Sequence, residues 1–187
     1  MPYIAIPSSL PGIRSLLAFR PEVAQPISQL AETLLHAPNS LSPGERELIG
    51  AYISALNDCT FCHMSHAAVA SQHLGDDGTI VKAVVRDVDT APVSAKLKAL
   101  LAIAALVQKG GRFVEERDIA RARREGATDT EIHDTVLIAA AFCMFNRYVD
   151  GLGAWTPTDP AAYKDRARSV AEIGYVASMP QPSPTKG

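Results

Sequence analysis

Between Glu47 and His66 the chain reads ELIGAYISALNDCTFCHMSH, and within it Cys59 and Cys62 stand three residues apart. On a helical turn, residues i and i+3 are neighbours with Cβ atoms about 5–6 Å apart. That spacing lies near the range a disulfide accepts, so such a pair can close and reopen. In the first turn of a helix, unpaired N–H groups and the macrodipole favour a thiolate over a thiol. A free thiol titrates near pH ~8.5, and sites of this kind pull the value towards neutrality. The chemistry open to the pair is thiolate attack on an oxidant, followed by disulfide closure.

His66 lies four residues beyond Cys62, and His63 bears the same relation to Cys59. A histidine on the same helical face can take a thiol's proton and stabilise the thiolate. Glu47 can join only if the chain folds back. On one straight helix it would sit roughly 22 Å from Cys62 at the usual rise per residue. With a reversal at Asn57-Asp58, it sits about 15 Å back from the pivot and His66 about 12 Å beyond it. The two are then level, and a proton relay would run Glu47, His66, Cys62, through a bridging water.

Other readings of the same residues stay open. The thiols could be buried and inert, as free cysteines often are. Cys59, Cys62, His63 and His66 could offer zinc four donors, but a single short helix cannot wrap a tetrahedral ion, and no second Cys-x-x-Cys exists. Glu47 could be a solvated helix residue, as Glu45 beside it is expected to be. His36, His73 and His133 have no visible partner and read as surface residues. Cys143, within AAAFCMF, reads as core packing. Tyr52 and Phe61 fit a pocket wall and a core equally. Arg147 and Asp150 follow a very apolar run and could pair across a subunit interface.

The elements that must position these residues are helices. Sustained period-two alternation is absent, while caps and stops are frequent. Pro7, Pro11, Pro21 and Pro26 break the N-terminal stretch, which has room for helices near 13–19 and 24–36. Ser42-Pro43-Gly44-Glu45 is a capping box with proline at the first helical position. The helix behind it carries Leu48, Ile49, Tyr52, Ile53 and Leu56 on one face, the spacing of a buried stripe. Asn57 and Asp58 are poor mid-helix residues and good caps. A new helix is expected from Cys59 to His73, stopped by Gly75. Further helices are expected near 79–85, 94–108 and 114–125. Another follows a second capping box, Thr128 and Glu131, towards Asp150, and a last one runs from Asp159-Pro160 to about 176. The Pro-rich tail, 179–187, is expected to be disordered. The fold class is all-α: a helical bundle in a single domain, with no convincing internal repeat.

Composition agrees and excludes several functions. The chain has 187 residues, 47% hydrophobic and 20% charged, with formal net charge −2. There is no basic stripe for nucleic acid and no polybasic cluster for anionic lipid. The apolar runs 99–107 and 136–145 fall short of the roughly 20 residues of a membrane span. The N-terminus lacks a signal-peptide pattern, so a cytoplasmic location is expected. Thiols are kept reduced there, which favours a catalytic or metal-binding role for a close pair over a structural disulfide. No flavin, haem or nucleotide motif is visible, and a dithiol can itself carry two electrons.

A glutamate, eleven residues, then Cys-x-x-Cys-x-x-x-His resembles the signature of alkylhydroperoxidase D and the peroxidase-related proteins of the carboxymuconolactone decarboxylase-like superfamily. The resemblance implies a bundle of the alkylhydroperoxidase D type and a thiol-dependent peroxidase activity on a small hydroperoxide. It gives Cys62 the peroxidatic role through a sulfenic acid, Cys59 the resolving role, and Glu47 and His66 the proton relay. It implies neither a metal nor another cofactor, a dithiol reductant such as a lipoyl- or thioredoxin-like protein, and a homo-oligomer. Alkylhydroperoxidase D carries a His directly before its second cysteine. Phe61 stands there in this chain and looks more like the peroxidase-related branch. On this basis 41–155 is the core, 1–40 an N-terminal helical extension and 156–178 a C-terminal helix. Two rivals remain: a lactone decarboxylase relative, and a redox-sensing or partner-binding helical protein without turnover.

Overall fold

The computed structural model describes residues 2–6 and 10–179; the expected disordered tail lies, from residue 180 on, outside the described residues. The regular structure among them is helical: α1 Ile13–Phe19, α2 Pro21–Leu35, α3 Pro43–Leu56, α4 Thr60–Leu74 and α5 Thr79–Arg86. There follow α6 Ala95–Lys109, a 3₁₀ turn Gly111–Phe113, α7 Glu116–Arg124, α8 Asp129–Gly151 and α9 Ala161–Ala177. The expected all-α single domain is what the chain forms.

Local chemistry sets the helix starts. Ser42 accepts the Glu45 N–H at 3.2 Å, and the Glu45 carboxylate accepts the Ser42 N–H at 2.8 Å, closing the box that opens α3. Thr128 and Glu131 do the same for α8. A third box, Glu115 with Asp118, opens α7. It escapes sequence inspection because glutamate is outside the usual set of N-cap residues.

α3 is the central helix. Leu48, Ile49, Ala51 and Ile53 are wholly buried among Leu100, Leu101 and Ile103 of α6 and Ile138 and Phe142 of α8. The expected stripe ends one turn early, since Leu56 is 39% exposed where the chain leaves the core.

The reversal after α3 is real and firmly held. Asp58 takes a left-handed conformation, φ 56°, which Asp tolerates better than most residues. Asn57 donates to the Asn146 side chain of α8 at 2.8 Å and accepts from Gln108 of α6 at 2.9 Å. Asn146, itself buried, donates to Ser54 at 3.0 Å. Three helices are thereby tied to one turn, and α4 returns alongside α3.

α9 crosses α2 and α4. At Gly174 its backbone leaves the helical region, φ 79° and ψ 179°. The Tyr175 and Val176 N–H groups, freed from the helix ladder, donate instead to Glu32 of α2 at 2.5 and 3.3 Å. A Cβ at position 174 would fall on that carboxylate.

Candidate active site

Cys59 is the N-cap of α4, which begins at Thr60, one position after the start expected from sequence, so Cys62 occupies the third helical position. Both are free thiols. Cys62 is among the residues whose N–H groups have no intrahelical partner, where the helix field favours negative charge. Cys59 is wholly buried, whereas Cys62 retains 4% exposure and lines a cavity of about 120 Å³ that Cys59 does not reach. The hydrogen bond to Cys62, with burial next, pushes the Cys59 thiol far up.

Glu47 reaches this region from α3 and has no exposure at all. Its carboxylate accepts from His66 Nδ1 at 2.7 Å, from His36 Nε2 at 3.2 Å and from the Tyr175 hydroxyl at 2.7 Å. Burial alone would raise its pKa; the charge of His66 and the three donors outweigh that and hold it at about 2. With Nδ1 committed to Glu47, the Nε2 nitrogen of His66 is the one left for the cavity, whose wall His66 shares with Cys62. The His66 ring is fixed further by an edge contact with Phe142, centroids 4.5 Å apart. Among the described residues no hydrogen bond joins His66 to Cys62 directly.

The expected juxtaposition of Glu47 with His66 therefore holds. Two surface assignments do not. His36 is on Glu47, and His73 stands edge-on to it with centroids 5.1 Å apart. Burial, then the neighbouring His36, lowers the His73 pKa. His133 is the exposed one, 70% at its side chain. His63 donates from Nδ1 to the Ala51 carbonyl at 3.0 Å, tying α4 to α3 and standing apart from the relay. Arg147 donates to the Cys143 carbonyl within its own helix.

Tyr175 was not legible as a site residue in the sequence. It lies far along the chain from Glu47 on the last helix, and no spacing links the two. A glycine inside an otherwise helical run was the available signal of a break there.

The cavity is walled by α1, α2, α4, α8 and α9 and is mostly apolar, with Leu17, Ile27, Phe145 and Val170 on its surface. Phe61 forms part of the wall, its ring 6.0 Å from that of Tyr163. Gly12, at φ 55°, lies so close that a Cβ there would fall on the Phe61 ring. Among the described residues no three His, Cys, Asp or Glu side chains converge as a metal ion would require.

The chain as a whole is similar to known proteins. The model of the carboxymuconolactone decarboxylase family matches residues 21–91 and 85–157. A crystal structure of an uncharacterized peroxidase-related protein from Silicibacter sp. TM1040 superposes with TM-score 0.74 at 26% identity, covering 82% of this chain and 78% of that one. A second, described as an alkylhydroperoxidase AhpD core, is an uncharacterized peroxidase-related protein from Ralstonia eutropha JMP134. It gives TM-score 0.75 at 26% identity, covering 85% and 82%. No curated protein matches the chain in sequence.

Proposed function

The chain belongs to the carboxymuconolactone decarboxylase family, and on that premise we propose that it is a thiol-dependent peroxidase working through Cys59 and Cys62. The observation that carries this reading is the buried Glu47 carboxylate bonded to His66, which lines the cavity that Cys62, and not Cys59, reaches. The peroxidase-related names of the two structural neighbours support it.

In the proposed cycle His66 takes the Cys62 proton at Nε2, across a water or the substrate's own oxygen. The thiolate attacks the terminal oxygen of ROOH; an S–O bond forms, the O–O bond breaks, and the departing alkoxide takes the proton from His66 to leave as ROH. Glu47, ionised throughout because its pKa lies near 2, stabilises the transient imidazolium and fixes its tautomer. The Cys59 sulfur then displaces the hydroxyl of the sulfenic acid, giving the Cys59–Cys62 disulfide and water. An external dithiol supplies two electrons and two protons to restore both thiols.

The test is stopped-flow consumption of hydrogen peroxide and cumene hydroperoxide by the reduced protein with a dithiol. Wild type should turn over, Cys62→Ser should be inactive, and Cys59→Ser should stop after one oxidation with a trappable sulfenic acid. Wild-type reaction no faster than free cysteine would sink the proposal and favour a redox-sensing role.

A further inference from the structure

Two cations on the cavity wall are left unused by the chemistry above. Arg14 of α1 and Arg166 of α9 line the cavity together with Cys62 and His66. Arg14 forms no ion pair with a described residue, and its Nε is buried without a partner. Arg166 donates to the Ser178 carbonyl and likewise has no carboxylate partner among the described residues. Burial, then repulsion from Arg14, lowers the Arg166 pKa, so the two guanidinium groups feel each other.

The acidic groups nearby are already committed. Glu32 is held by the Tyr175 and Val176 amides, and Glu47 by His66, His36 and Tyr175. Tyr175 faces Arg166 as a neutral phenol, its pKa raised well above the ordinary value by burial and then by Glu47. Residues 1, 7–9 and 180–187 contain no Asp or Glu. Two like charges partly withdrawn from water repel one another, and an anion between them relieves both costs. Guanidinium groups suit a carboxylate because their paired N–H donors match its two oxygens. The remaining wall, Leu17, Ile27, Phe145 and Val170 among it, suits hydrocarbon. A dry cavity of ~150 Å³ holds a benzene ring, so the space here takes on the order of six carbon atoms.

We propose that the cavity selects organic hydroperoxides bearing a carboxylate, which Arg14 and Arg166 hold while the hydroperoxyl group is presented to Cys62. The substrate class rests on the peroxidase reading; the carboxylate site itself does not. Oxidation and reduction balance as in the cycle above, the carboxylate taking no part in bond making.

Two measurements test this. In the first, kcat/KM is compared for 6-hydroperoxyhexanoate, whose chain matches the space, and its methyl ester. The expected acid-to-ester preference is about tenfold or more, the worth of one charge-assisted hydrogen bond. It should fall towards unity in Arg14→Met and Arg166→Met and survive in part in Arg166→Lys. In the second, which needs no turnover, hexanoate and hexanamide compete with alkylation of Cys62 by N-ethylmaleimide. Hexanoate should protect wild type better by about the same factor, and lose that advantage in either Met variant. Equal rates for acid and ester with equal protection by acid and amide would overturn the proposal. Selective protection by hexanoate, with neither hydroperoxide nor hydrogen peroxide reduced, would remove the peroxidase reading and leave a carboxylate-binding site.

Discussion

Glu47 has neither solvent nor a neighbouring anion, and its three donors come from three different helices or their ends. A carboxylate so placed ties stability to pH. Its folded pKa of about 2 lies below the ordinary value of 4.5, so the group is depressed on folding. Its contribution is complete above the unfolded pKa and is lost as pH falls from about 4.5 towards 2. A difference of that size corresponds to about 3 kcal/mol. Glu131, also held at about 2, against burial, by Lys96, the Thr128 amide and Ser40, adds to the same window. Urea unfolding of wild type and Glu47→Gln at pH 7 and pH 3 separates the two. The mutant should be weaker at pH 7, with a buried donor left unsatisfied, and the gap should narrow at pH 3. A gap that widens with acid would contradict the assignment. Tyr175 acts on the same carboxylate as a positioning residue. Tyr175→Phe removes one donor, costs about 1 kcal/mol of stability, and lets the Glu47 pKa rise. Peroxide turnover should fall by roughly tenfold or less, with its acidic limb moved to higher pH. A lower kcat on an unshifted pH profile would point to a packing role instead.

What brings Tyr175 to Glu47 is the break in α9. With a regular helix through Gly174, the Tyr175 and Val176 amides would bond within α9 and not to Glu32. Gly174→Ala sets a side chain against Glu32 at a backbone angle that favours glycine, at a cost of about 1–3 kcal/mol. Its melting temperature should fall, and the acidic limb of its turnover should move as in Tyr175→Phe. An unchanged profile would mean that the kink does not set the site. The contrast with α3 and α4 shows which elements a sequence discloses. Ser42 with Glu45, and Thr128 with Glu131, are local hydrogen-bond circuits over four residues, and they open helices where they were expected. The reversal at Asn57-Asp58 was legible for the same reason, and with it the approach of Glu47 to His66. Tyr175 and His36 were not. Their claim on Glu47 arises only when α9 and the end of α2 pack against α3 and α4, and no periodicity records that. The Asn57–Asn146–Ser54 network is likewise tertiary: Asn57 was legible as a cap, but its bond to Asn146 was not.

Over the whole molecule, the family resemblance led to the expectation of a homo-oligomer, and the two most apolar helices differ in the surface they leave for one. α6 buries its apolar residues internally: Leu97, Leu100, Leu101 and Ile103 are within the core, and between Lys96 and Gln108 no residue is exposed. α8 does not. Leu137 is 39% exposed and Met144 49%, and with the exposed Ala140 between them they form one outward stripe. A spacing of three and four residues places all three on a single helical face. Polar His133 and Arg147 bound the stripe at either end, both exposed. An apolar seam rimmed by polar residues is the pattern of a helix awaiting a partner, and a second copy of the same helix supplies the matching seam under twofold symmetry. We therefore expect the protein to sediment above the 19.9 kDa of one chain. Leu137→Glu combined with Met144→Glu should return it to a folded monomer with unchanged helical circular dichroism, since both side chains already face water in the single chain. Wild type that sediments as a monomer at micromolar concentration would show that the stripe is ordinary surface. Assembly that persists in the double variant would place the interface on another face.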